Sequence, residues 1–302
     1  MTRDDRRKPG GPKTHTSPAR GGPSARGPRP DRARPPDRSG APTLGARPDR
    51  GGPRHGTATA RPAVHKRPDK PALRLQPTTL WDYPSQHYGE GMQGDARYVG
   101  ATPSYVIWNL IERYTKPDDL VIDPFCGSGT TLDVAKDTGR RARGFDVAPS
   151  RPDIEKADAR SLPVGKGEAA LVFMDPPYGD HIDYSDDPRC IGKLSAYTHE
   201  YYRAMQRAFR EATRVLRPGG VLGVYVCDAY DKKRGFAPIG LQLLGGISES
   251  LRILDVCAVV RHNKTLEMGN YRRAAEEGNF FLRGFNYLII ADKPAPRGGR
   301  DA

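Results

Sequence analysis

From about residue 78 to residue 293, short apolar runs alternate with stretches of helical period. Leu120-Val121-Ile122 and Ala169-Ala170-Leu171-Val172-Phe173-Met174 are apolar throughout, as expected of strands buried on both faces of a parallel sheet. Between them, Arg141-Ala142-Arg143-Gly144-Phe145-Asp146-Val147 predicts a further short strand, with room for two helices around it. Tyr201, Met205, Ala208, Phe209, Ala212, Val215 and Leu216 recur at helical spacing, and Pro218-Gly219-Gly220 predicts the stop. Val221 through Val226, Leu254 through Val260 and Phe285 through Ile290 predict the closing strands. Strands alternating with helices give an α/β fold, and residues 78–293 suffice for one compact domain.

Two apolar runs end in an aspartate, and chemistry concentrates there. After the first comes Asp123-Pro124-Phe125-Cys126-Gly127-Ser128-Gly129-Thr130-Thr131, an acidic strand end, a glycine turn and a hydroxyl-rich helix start. Gly127 and Gly129 let the backbone pass close to a ligand, and the helix start offers free amide donors. The dinucleotide fingerprint would need a third glycine where Leu132 stands, so a nicotinamide or flavin loop is disfavoured. No Walker lysine follows either.

The second run ends in Asp175-Pro176-Pro177-Tyr178. Two prolines stiffen the turn and carry no N–H, leaving carbonyls for a ligand, while Tyr178 presents a ring. Such a loop suits the exocyclic amine of a base, whose lone pair is delocalised into the ring. An amine of that kind needs hydrogen-bond acceptors rather than a strong base: Asp175 and a proline carbonyl each take one amino hydrogen, and Tyr178 stacks on the base. Asp146, at the end of the intervening strand, is placed to accept from two ribose hydroxyls.

With these two motifs the chain resembles the amino-methyltransferases of nucleic acids, the DNA N4-cytosine and N6-adenine family, over roughly residues 100–293. The resemblance implies a Rossmann-like class I methyltransferase fold with a seven-stranded, mostly parallel sheet. It also implies S-adenosyl-L-methionine held by Asp123, Pro124, Phe125, Gly127, Ser128, Gly129, Thr130, Thr131 and Asp146, with Asp158 against the adenine amino group. Asp175, Pro176, Pro177 and Tyr178 form the implied catalytic loop. The implied substrate is DNA. No sizeable target-recognition segment is evident in the 124 residues after Tyr178, which keeps structured RNA, methylated at cytidine N4 or guanosine N2, as an alternative. A non-catalytic nucleic-acid-binding protein of the same fold is expected to have lost Asp175, Tyr178 or the glycines, and all are present.

Composition alters the picture at the amino-terminal end. Residues 1–70 hold 13 prolines and 10 glycines and few large apolar side chains, so residues 1–72 are expected to form a disordered basic tail. This stretch carries 18 Lys+Arg against 6 Asp+Glu, whereas residues 71–302 carry 31 against 30. Nearly all of the formal charge of +13 therefore lies in a segment suited to phosphate attraction. A second basic and aromatic stretch runs from Arg261 to Arg283, where a splayed base or a phosphate backbone would be held. The loop from Gly179 to Ser185 is expected to close over the target base. Cys126, Cys190, Cys227 and Cys257 have neither disulfide nor zinc spacing, so reduced thiols and no metal are expected. No apolar signal or membrane-spanning run is present, and a cytoplasmic location is expected.

Deleting residues 1–70 is expected to leave turnover at saturating substrate intact. Affinity for an oligonucleotide should fall at low salt, with a shallower slope of log affinity on log salt. Parallel salt titrations of the full and truncated chains check this, and superimposable slopes would assign binding to the folded part alone.

Overall fold

The computed structural model describes residues 70–180, 182–262 and 264–295. Residues 1–69, which hold nearly all of the expected basic tail, lie outside the described residues, as do His181, Asn263 and residues 296–302. Ten strands and six helices follow one another along the described chain. β1 (Leu80–Trp81) and α1 (Ser104–Tyr114) precede β2 (Leu120–Asp123), α2 (Thr130–Asp137), β3 (Arg141–Asp146), β4 (Ile154–Lys156) and β5 (Ala169–Met174). Then come α3 (His199–Val215), β6 (Leu216–Val226), β7 (Ala229–Asp231), β8 (Gly235–Ala237) and α4 (Ile239–Ser248). β9 (Arg252–Val260), α5 (Lys264–Glu267), α6 (Gly269–Glu277) and β10 (Phe285–Asp292) complete the order.

The main sheet has eight strands in the order β1-β9-β10-β6-β5-β2-β3-β4. β2 to β6 are mutually parallel, and β10 runs antiparallel to both β6 and β9. Seven of these strands match the expected α/β sheet. The eighth is the two-residue β1, paired parallel to β9 and anchored by the buried Trp81. Alternation along the buried strands supplies both faces. Val121, Leu171, Phe173 and Leu288 pack with Tyr105, Ile107, Leu110 and Ile111 of α1. Ile122, Val172, Met174 and Ile289 pack with Met205, Ala208 and Phe209 of α3 and with Leu243 of α4.

Three expectations from sequence need correction. One helix, not two, lies between Asp123 and Asp175, because β4 is joined to β5 by turns over residues 157–168. α3 holds those turns: Glu211 accepts the Leu162 N–H at 2.7 Å, and Arg214 donates to the Leu162 and Val164 carbonyls. Pro218-Gly219-Gly220 does not separate helix from strand. α3 ends at Val215, and β6 begins at once with Leu216 opposite Ala169, running through the glycines across a register shift. The stretch from Arg261 to Arg283, expected as a loop interrupting the hairpin between the last two strands, carries α5 and α6. α6 has no buried residue.

The parallel strands end at one edge of the sheet, where ligands bind in open α/β folds. Asp123, Asp146 and Asp175 sit there at or just beyond the ends of β2, β3 and β5. Because β10 is antiparallel, pairing Tyr287 with Val226 brings its first residues, including Asn286, to the same edge. Among the described residues no helix is long and apolar enough to cross a membrane, and all four cysteines are buried and free.

Candidate active site

Asp123 fixes the strand end to the helix that follows. It is 4% exposed, and its carboxylate accepts the Phe125 N–H at 2.9 Å and the Thr131 hydroxyl. Burial pushes its carboxyl up to about 7, opposed by those two hydrogen bonds and reinforced by Asp175 and Asp146. Gly127 (φ 44°) and Gly129 (φ 80°) then take the left-handed backbone that turns the chain into α2, which starts with no side-chain cap. Close approach at these glycines comes from the protein itself. A Cβ on Gly127 would lie 2.9 Å from the Tyr98 ring, and one on Gly129 would lie 2.5 Å from the Arg151 guanidinium.

Asp146 accepts the Gly127 N–H at 3.0 Å and the Ala148 N–H at 2.9 Å, so it sits beside the glycine turn as expected. Burial raises its pKa against the pull of these amides. Asp158 is held differently. Arg160 donates to both of its oxygens at 2.8 and 2.6 Å, and together with its backbone amide offsets burial to hold the carboxyl below the usual range. Its carboxylate is thus engaged by an arginine at the place where the resemblance sets it against an adenine.

Asp175 follows β5 and accepts two hydroxyl protons, from Thr102 to Oδ2 at 2.5 Å and from Tyr178 to Oδ1 at 2.7 Å. Burial raises its pKa to about 7, and both hydroxyls oppose the rise. Tyr178 therefore turns its hydroxyl onto the Asp175 carboxylate as well as offering a ring. Its own hydroxyl is pushed far up by burial and by Asp175. The Pro177 carbonyl accepts from Tyr201 Oη of α3 at 2.8 Å, so it is not left wholly to a ligand as expected.

These groups line one cavity of about 740 Å³. Asp123, Pro124, Phe125, Gly127, Ser128, Thr130, Thr131, Asp146 and Asp158 face it together with Asp175, Pro177 and Tyr178. Gly129 and Pro176 do not line it. The loop after Tyr178 contributes Ile182, Tyr184 and Ser185, with the Tyr184 ring stacked 6.5 Å from that of Tyr98. The donor set fits S-adenosyl-L-methionine: three carboxylates held by hydroxyls and amides, with no guanidinium among the described residues paired to them, suit a group bearing sulfonium and ammonium charge, and an uncapped helix start suits its carboxylate.

Comparison with known proteins bears on the first part of this site. Residues 59–156 match the N6/N4 methylase family, described as DNA methylase. The Type II methyltransferase M.ScaI of Streptomyces caespitosus is 33% identical over 96 residues, covering 30% of this chain and 32% of that protein. M1.MboII, a Type II methyltransferase of Moraxella bovis, is 37% identical over 71 residues, covering 22% of this chain and 27% of that protein. The chain thus spans about a third of the length of the curated relatives it matches. Among solved structures, a SAM-dependent methyltransferase from Methanosarcina mazei is similar at TM-score 0.39 and 16% identity, over 62% of this chain and 98% of that one.

The matched segment includes Asp123, the glycine turn and Asp146, while Asp175 to Tyr178 lie beyond it. Thr102, Tyr98 and Asn286 were not singled out from sequence. Asn286 was detectable as a lone amide in an otherwise apolar strand, whereas nothing marks Thr102 among the polar residues before α1.

Gly127→Val is expected to reduce S-adenosyl-L-methionine affinity before it affects anything else, because a β-branched side chain resists φ 44° and displaces Tyr98. Calorimetric titration with the cofactor checks this, and wild-type affinity would remove the turn from the cofactor site.

Proposed function

We propose that this chain is an S-adenosyl-L-methionine-dependent N-methyltransferase acting on the exocyclic amino group of a DNA base, adenine N6 or cytosine N4. The observation that carries the proposal is Asp175 at the carboxyl edge of the sheet, doubly hydrogen-bonded and facing the same cavity as the glycine turn. The DNA methylase match over residues 59–156 supports DNA as the polymer.

The residues that would hold the cofactor are the turn from Phe125 to Ser128, with Asp146 for its ribose hydroxyls. When bound, it supplies a methyl group made electrophilic by a sulfonium. The protein's part concerns the amine. Each carboxylate oxygen has two acceptor sites, and Thr102 and Tyr178 occupy one apiece, so Asp175 can still accept an amino hydrogen. Accepting that hydrogen draws the lone pair out of conjugation and toward the methyl group. Tyr178 and Tyr184 line the cavity and offer aromatic faces to a flipped base.

The α5–α6 insertion supports contact with a polymer. α6 stands exposed, Phe281 is 84% exposed, and Phe280 stacks on Tyr230 of β7 at 4.8 Å. Arg261 and His262 at the start of this insertion line the cavity mouth. A duplex base must leave its stack to reach a site of this depth.

Transfer of a labelled methyl group to DNA, followed by nucleoside analysis, tests the proposal. N6-methyladenosine or N4-methylcytidine of the deoxy series is expected, and label in RNA alone would overturn the choice of polymer. Asp175→Ala is expected to abolish transfer while leaving cofactor affinity nearly intact; a loss of cofactor binding would instead place Asp175 in the cofactor site.

The rate should also depend on pH in a stated sense. Asp175 must be ionised to accept the amine, and its pKa is raised to about 7. A profile of kcat/KM is therefore expected to be low in acid and to rise with pH through a midpoint near 7. A rate already flat well below that pH would remove this ionisation from the mechanism.

A further inference from the structure

Asp175 is held from two directions by residues far apart in the sequence. From the segment before α1, Thr102 gives its hydroxyl proton to Oδ2 at 2.5 Å. From the last strand, Asn286 Nδ2 donates to Tyr178 Oη at 3.2 Å, and Tyr178 in turn donates to Asp175 Oδ1 at 2.7 Å. Tyr178 has a single proton, committed to Asp175, so only the NH2 end of Asn286 can complete this relay. That fixes the amide orientation and leaves Asn286 Oδ1 buried with no partner, a cost accepted at a position only 4% exposed.

We propose that Thr102 and Asn286 are positioning residues: Thr102 directly, and Asn286 through Tyr178, hold the Asp175 carboxylate in one orientation and keep it ionised, so that its remaining lone pairs point at the target amine. The kinetic part rests on the methyl-transfer reading above, whereas the geometric part does not.

The surroundings give these hydroxyls their weight. The acids coupled to Asp175 are Asp123 at the end of β2, Tyr98 before α1, Tyr178 and Tyr184 after β5, Tyr201 on α3 and Tyr225 on β6. Two histidines also line the cavity, His87 before α1 and His262, whose ring is hydrogen-bonded to Asp82, and neither is hydrogen-bonded to Asp175. The two arginines that line the cavity, Arg189 and Arg261, donate to Asp187 and to Cys227 Sγ. Burial therefore drives Asp175 toward its neutral form, and the Thr102 and Tyr178 hydroxyls oppose it. Hydrogen bonds donated to a carboxylate favour its charged form. Removing one moves the balance toward a protonated acid that cannot accept from an amine through the protonated oxygen.

The test compares Thr102→Val, of nearly the same shape, with Thr102→Ser, which restores the hydroxyl. Two quantities are read on the full chain. One is the pH profile of methyl transfer to DNA. The other is the midpoint of the Asp175 carboxyl by carbon-13 NMR, assigned by its loss in Asp175→Asn. Thr102→Val is expected to lower kcat about tenfold and to raise the Asp175 midpoint by about one pH unit. Its KM for the cofactor should stay within about twofold of wild type, because the cofactor turn is untouched. Thr102→Ser is expected to return both readings to wild type, and Asn286→Ala to move them in the same direction as Thr102→Val but less. An unchanged midpoint in Thr102→Val, or a serine variant that behaves like the valine variant, would overturn the proposal. A wild-type chain that transfers no methyl group to DNA would overturn the functional reading instead, and the carboxyl titration would still decide for or against Thr102.

Discussion

Three carboxyl groups crowd the carboxyl edge of the parallel strands β2, β3 and β5, and the site depends on how their charge is borne. Asp123, Asp146 and Asp175 face one cavity, and each is held by hydroxyl or amide donors. A guanidinium would satisfy a buried acid more strongly, as Arg160 does for Asp158, but it would also cancel the field that the acid projects. Hydroxyls and amides orient a carboxyl group without cancelling the charge it bears when ionised. Burial raises the pKa of all three acids, and a cationic occupant would favour their ionised forms.

The local structure follows from the same requirement. Asp123 can be buried because Phe125 offers its amide and Thr131 its hydroxyl, which only a tight left-handed turn at Gly127 and Gly129 brings within reach. That turn sets the start of α2, and α2 with α1 covers one face of β2 and β5. On the other face, α3 secures both the turns that replace a helix before β5 and the Pro177 carbonyl of the loop after β5. The motif residues are thus held by ordinary core elements on both sides of the sheet.

Much of this was legible in the chain. The runs 120–122 and 169–174 read as buried strands because no polar residue interrupts them, and both proved to be central parallel strands ending in the expected aspartates. Asp146 fell beside the glycine turn because a parallel strand following a helix returns next to its predecessor. Contacts that depend on tertiary register were not legible. Thr102 lies 73 residues from Asp175 and meets it only after α1 has packed on the sheet. Leu80–Trp81 is too short to carry a period. Residues 157–168 form turns because partners supplied by α3, remote in sequence, hold them there.

The position of β10 has a consequence for the order in which the fold is completed during synthesis. β9 reaches the rest of the main sheet only through β10, which lies between it and β6. Until β10 has left the ribosome, β6 ends the sheet with an open edge, and β9, with the short β1 beside it, has no place to dock. The same strand carries Asn286, which orients Tyr178. Closing the sheet edge and completing the hydrogen-bond relay to Asp175 both require β10, and a nascent chain that still exposes β6 lacks that relay.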